Sequence, residues 1–212
     1  MNYKKVAVAA IIVVGAGIAA IKGTPVPYGN PADFYQAEKL TVNEHGWSWA
    51  KRYDIEVDGK KVAEVSGKMV EVFGDVFTLK TIDGKVLAQE KEDKRFLSLT
   101  RAASCYDSQG NLMGYIGEEV LSNLFSMSYV FHFYDKDKNE LGTSKKLGKS
   151  AFNWHTMQDN ERNVDYGIDK KLTTGIWGDK YIVTINDRES AIPREMAVLM
   201  TCIEDVIGDS HD

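Results

Sequence analysis

Residues 193–208 read PREMAVLMTCIEDVIG, and between Met196 and Ile203 only Thr201 is polar. Pro193 suits the first turn of a helix, where its missing N–H costs nothing, and Gly208 suits the position just past the end. Ala, Met and Leu between them favour helix over strand. Such a helix has no polar side to turn toward water. Exposing it would forfeit roughly 1.5–3 kcal/mol per large apolar side chain, so something has to surround it.

The rest of the chain says what could. One pattern recurs: an aromatic-led alternating run, an acidic turn, then a second alternating run. It appears as YDIEVDGKKVAEVSG (53–67), FTLKTIDGKVLAQEKE (77–92), RAASCYDSQGNLMGYIGEE (101–119) and YVFHFYDKDKNELGTSKKL (129–147), with turns at 58, 83, 107 and 135. YIVTINDRES (181–190) repeats the first half. Asp-Gly between alternating runs predicts a hairpin with a type I′ turn, in which both central residues take positive φ. KLTVNEHGWSWA, NWHTMQD and KLTTGIWG also read as strands, for about ten to twelve in all. EEVLSNLF (118–125) has the apolar spacing of a short helix, though it fits a strand bend too. So many consecutive antiparallel strands in one domain form a sandwich or close into a barrel. A barrel of about twelve strands has room inside for a helix. The expected fold is therefore mainly β: a closed antiparallel barrel around its own hydrophobic C-terminal helix.

The start of the chain is of another kind. Lys4 and Lys5 precede an uncharged, mostly apolar run from Val6 to Ile21 that includes Ile12, Val14 and Ile18, and Lys22 follows it. As a helix this run is about 24 Å long, between a secretory signal and a membrane span. It reads as a signal-anchor or signal peptide (1–22), with Ala19 as the candidate cleavage point. Positive charge before the run predicts a single-pass anchor with the body extracytoplasmic, or a secreted body if the segment is cleaved. Residues 23–33 read as a linker and 34–212 as the folded domain.

Composition narrows the chemistry. The 212-residue chain has net charge -5, and no acid lies in residues 1–22. With Lys4, Lys5 and Lys22 set aside, the body carries 23 bases against 31 acids, or -8. A body so acidic repels phosphate backbones, which argues against nucleic acid. Lys145, Lys146 and Lys149 are the candidate contacts for a lipid headgroup, against the plainer reading of a solvated turn. Cys105 and Cys202 have no zinc-ligand spacing; separate burial is preferred over a disulfide. His45, His132, His155 and His211 fall into no metal or catalytic pattern. Nucleophile elbow, P-loop and dinucleotide motifs are missing, and the adjacent acids Glu118-Glu119 and Glu204-Asp205 cannot point together as an acid/base pair. Trp47, Trp49, Trp154 and Trp177 suit barrel packing before an interfacial belt. The expectation is a non-enzyme without cofactor or metal.

The serial Asp-Gly hairpins and the closing strand-then-helix YIVTI…MAVLMTCIEDVI resemble the LURP-one-related family, which shares its fold with the tubby C-terminal domain and the phospholipid scramblases. The resemblance spans roughly Phe34 to Gly208 and rests on patterns, not signature residues. It implies a twelve-stranded barrel around a hydrophobic helix and work at membranes. No basic pair matches the tubby headgroup pocket, and the scramblase proline-rich leader and cysteine cluster are absent. The expected function is a monomeric, membrane-tethered lipid- or protein-interaction module. The alternative is an exported lipocalin-like carrier of a small apolar ligand, which needs the last helix to lie outside an empty barrel.

Overall fold

A computed structural model describes residues 26–46, 51–68, 76–93, 102–118, 130–146, 154–159, 164–171 and 178–209. The described chain is mainly β. A short helix α1 (Asp33–Gln36) leads into β1 (Lys39–Glu44), β2 (Arg52–Val57), β3 (Lys60–Lys68), β4 (Val76–Thr81), β5 (Val86–Asp93) and β6 (Ala102–Asp107). Then come β7 (Leu112–Glu118), β8 (Phe131–Asp135), β9 (Glu140–Lys146), β10 (Trp154–Asp159), β11 (Val164–Lys171) and β12 (Lys180–Ile185), and the helix α2 (Arg194–Asp209) ends the fold. Every strand pairs antiparallel with its neighbours in the chain, and β1 pairs with β12 as well as with β2.

Alternation divides each strand between a core face and an outer face. Leu40 and Val42, Tyr53 and Ile55, Phe77 and Leu79, Phe131 and Phe133, and Tyr181 and Val183 all turn inward and are buried. The side chains from Met196 to Cys202 are fully buried, and all but Thr201 belong to the same cluster. The Thr201 hydroxyl, the polar exception in that run, donates to the Ala197 carbonyl at 3.0 Å, so burial leaves it satisfied. The helix differs from expectation at its end: Gly208 lies within it, one residue short of Asp209.

The hairpins follow two designs. Asp58 and Gly59 both take positive φ, at 50° and 73°, as a two-residue type I′ turn requires. At 83–84 the expectation of a type I′ turn fails, because only Gly84 has positive φ, at 87°. The Gly84 N–H bonds the Thr81 carbonyl and the Thr81 N–H bonds the Lys85 carbonyl. This is the longer loop in which a turn is followed by one left-handed residue and a bulge, and the register shifts beside it. Residues 107–111 and 135–139 copy that loop bond for bond, with Gly110 and Lys138 left-handed. Asp107 and Asp135 each accept two backbone N–H groups and the side-chain amide of an asparagine four residues on, Asn111 and Asn139. Those bonds, the asparagine's first, hold both carboxyls below the usual aspartate range.

Because the strands are antiparallel, these turns, the start of β1 and the end of β12 share one end of the sheet, the hairpin end. Connections at the opposite end, including 69–75, 94–101, 119–129, 147–153 and 172–177, lie outside the described residues. The expected short helix at 118–125 falls there beyond Glu118, as does most of KLTTGIWG. Part of the expected linker, 23–33, is among the described residues. The Lys61 N–H donates to the Pro27 carbonyl and the Gly29 N–H to the Lys61 carbonyl, both at 2.8 Å, so the chain is docked beside β3 from Pro27 onward. No helix among the described residues is long and apolar enough to cross a membrane. Residues 1–25, which carry the expected membrane segment with Val6, Ile12, Val14, Ile18 and Ile21, lie outside them.

Candidate functional site

The interior offers little reactive chemistry. Cys105 and Cys202 are both free and buried, so the disulfide alternative is set aside. Burial first, and then the charge of Glu90, push the Cys105 thiol well above the usual cysteine value, which suppresses the nucleophilic thiolate. Glu90, only 2 % exposed, sits opposite Cys105 in the β5–β6 ladder. Tyr53 donates from its hydroxyl to the Cys202 carbonyl at 3.3 Å, tying β2 to the middle of α2.

Where α2 begins, at the hairpin end, polar groups lock it to the sheet. The buried Arg194 guanidinium donates to the Phe34 carbonyl in α1. Tyr35 donates to Glu195 at 2.7 Å, Tyr166 to the Ile192 carbonyl at 2.8 Å, and Ser190 to the fully buried Asp165 at 2.7 Å. Burial is the main cause that raises the Tyr166 hydroxyl to about 12, so it stays a donor across the physiological range. Arg188 bonds the Gln36 carbonyl at 2.9 Å and adds the loop after β12 to the same lock.

The outer face of β2, β3 and β4 holds an ionic row. Asp54, Glu64 and Lys80 are direct register partners across the three strands. Two carboxylates opposite one another would repel, and Lys61 resolves this by reaching both, at 2.6 Å to Asp54 and 2.7 Å to Glu64. His45 approaches Asp54 at 2.8 Å, Lys80 approaches Glu64 at 2.9 Å, and Arg52 adds a longer contact to Glu64. For Glu64, burial pulls the pKa upward, but the bonds from Lys61 and Lys80 outweigh it and leave the value at about 2. Asp54 is lowered too, with burial again opposed by the bonds from His45 and Lys61. Both acids therefore stay ionised and neutralised, which suits a brace and not a proton donor. The brace also grips the residue on which Pro27 and Gly29 dock. Alternation hints at this row, because Asp54, Glu64 and Lys80 occupy outward positions; only the register brings them level.

A second outer cluster lies across β5 to β9. Lys91 stands over the Tyr106 ring at 5.0 Å and Lys138 over Tyr115 at 5.9 Å, while His132 stacks on Tyr134 and contacts Glu140 at 3.3 Å. His132 is thus a strand-face residue. Among the described residues no group of three or more His, Cys, Asp or Glu could hold a metal ion.

The expected headgroup lysines are only partly in view. Lys145 and Lys146 belong to β9, opposite Thr156 and His155 of β10, but their side chains lie outside the described residues, as does Lys149. Trp47, Trp49, Trp177 and His211 also lie outside, and Trp154 and His155 are placed by their backbone in β10 alone. The chain matches no protein-family model, no curated protein and no solved structure.

Proposed function

We propose that the chain is a non-catalytic, membrane-tethered module of the tubby-like kind, a closed barrel that binds lipid or a protein partner through its outer surface. The observation that carries this reading is the complete burial of the side chains from Met196 to Cys202. A helix buried on every side occupies the volume a carrier would keep for its ligand, so recognition falls to the exterior. The β1–β12 ladder supports closure, since it leaves neither terminal strand as an edge. Residues 6–21 supply the tether, with Lys4 and Lys5 placing the body on the extracytoplasmic side.

Flotation of the full chain with vesicles tests the lipid arm. In a double variant, Ile12→Lys with Val14→Lys, the apolar run is broken and only the folded part can hold lipid. Retention of that variant on vesicles supports lipid recognition by the barrel, and loss from every lipid composition leaves a protein partner as the ligand. Deleting 193–212 separates this reading from the lipocalin-like one: a plugged barrel loses its cooperative unfolding, whereas an empty carrier keeps it.

A further inference from the structure

We infer that the hairpin end of the sheet faces the bilayer and that Val26, Tyr28 and Tyr35 rest in its headgroup region, an orientation that builds on the membrane tether just proposed. The argument begins with the direction of the chain. Tyr28 pairs with Lys61 in a parallel bridge, so the segment traced backward from Tyr28 runs toward the start of β3. That start is the hairpin end, beside Asp58-Gly59. At Val26 the described chain therefore points past this end, fixed there by the two backbone bonds to Lys61.

Reach then decides which surfaces the tether permits. From Lys22 to Pro27 is five residue steps, at most about 18 Å when fully extended. From Lys61, where Pro27 is held, the far end of β3 at Lys68 is seven residues on, about 23 Å at ~3.3 Å each. The far end of the sheet is thus beyond the tether. The flank next to the docked segment is within reach, but among the described residues β2, β3 and β4 expose no large apolar side chain that a bilayer could take up. The hairpin end remains.

The side chains at that end fit a headgroup layer. Four large hydrophobics are exposed among the described residues, and three fall in residues 26–35: Val26 at 37 %, Tyr28 at 73 % and Tyr35 at 48 %. The fourth, Val164, begins β11 at the same end. Tyrosine places a ring in the apolar margin and a hydroxyl in water, which suits Tyr28, whereas Tyr35 offers only its ring because Glu195 holds its hydroxyl. Its turns carry Asp58, Asp83, Asp107, Asp135 and Asp137 against Lys60, Lys85, Lys136 and Lys138, so charge there nearly balances with a slight excess of acid. The contact is therefore with neutral headgroups, not an anionic patch.

Spin labels at Tyr28→Cys and Gln36→Cys on the hairpin end, and at Lys171→Cys on the opposite end, test this in the full chain. The native thiols are buried and spared. In phosphatidylcholine vesicles, the labels at 28 and 36 should show several-fold higher relaxation by oxygen than by a water-soluble nickel chelate, compared with the label at 171. If the chain floats with vesicles yet all three labels behave alike, the orientation is wrong while the tether stands. A label at 28 shielded from both reagents in detergent would mean that residues 1–25 or a second copy cover the patch, and would overturn it. A chain that does not float removes the tether itself, and this inference with it.

Discussion

Lys138 holds the left-handed conformation, φ 68°, that Gly110 holds in the matching loop. A side chain there costs roughly 1–2 kcal/mol, partly recovered because glycine is the more flexible residue when unfolded. Gly110→Lys should therefore lower stability by about 1 kcal/mol, and Lys138→Gly should raise it by less, since it also removes the ammonium over Tyr115. Denaturant midpoints of the two variants check both signs. Glu64 makes a separate claim. Its folded pKa of about 2 lies below the ordinary 4.5, so its stabilisation is complete above pH 4.5 and drains away as pH falls toward 2. Asp54, Asp107 and Asp135 shift in the same direction. Urea midpoints should fall across that window in the native chain and fall less steeply in Glu64→Gln, the two converging at the acid end. Parallel curves would remove Glu64 from the account.

At the scale of the element, α2 carries the most consequence per residue. Leu199 is fully buried within a run of fully buried neighbours, and Leu199→Ala removes apolar surface and leaves a cavity. A loss of about 2–5 kcal/mol is expected, with the fold retained, as read by chemical denaturation and circular dichroism. The helix was legible from its residues because Met, Ala, Val, Leu and Met in succession have to be buried, and Ala, Met and Leu favour helix over strand. Its end was not, since Gly208 is only a preference for termination and the helix runs on to Asp209. The turns divide in the same way. Asp58-Gly59 behaves as its residues suggest, whereas Asp83-Gly84 belongs to a longer loop. The dipeptide is the same, and the placement of Thr81 opposite Lys85 across the β4–β5 hairpin separates the two outcomes.

For the whole molecule, the proposed tether and the hairpin end, with its slight excess of acid, make opposing demands on lipid charge. Lys4, Lys5 and Lys22 favour anionic headgroups, while Asp58, Asp83, Asp107, Asp135 and Asp137, one more than Lys60, Lys85, Lys136 and Lys138 can offset, are weakly repelled by them. Full-length chain should therefore stay bound when anionic lipid is added, yet the label at 28 should become more water-accessible, an effect that salt reverses. Unchanged accessibility across lipid charge would show that the turns stand clear of the surface.

The sequence by itself determined the β-rich class, the succession of hairpins, the buried closing helix and the apolar leader, because each is written in local periodicity and side-chain polarity. Only the tertiary structure decided that β1 meets β12, that Asp54, Glu64 and Lys80 stand level with Lys61 between the acids, and that Pro27–Gly29 docks parallel to β3. Those facts depend on register between residues far apart in the chain, which alternation leaves free to slip. The direction of the docked segment along the sheet belongs to the same class, and the proposed membrane-facing end rests on it.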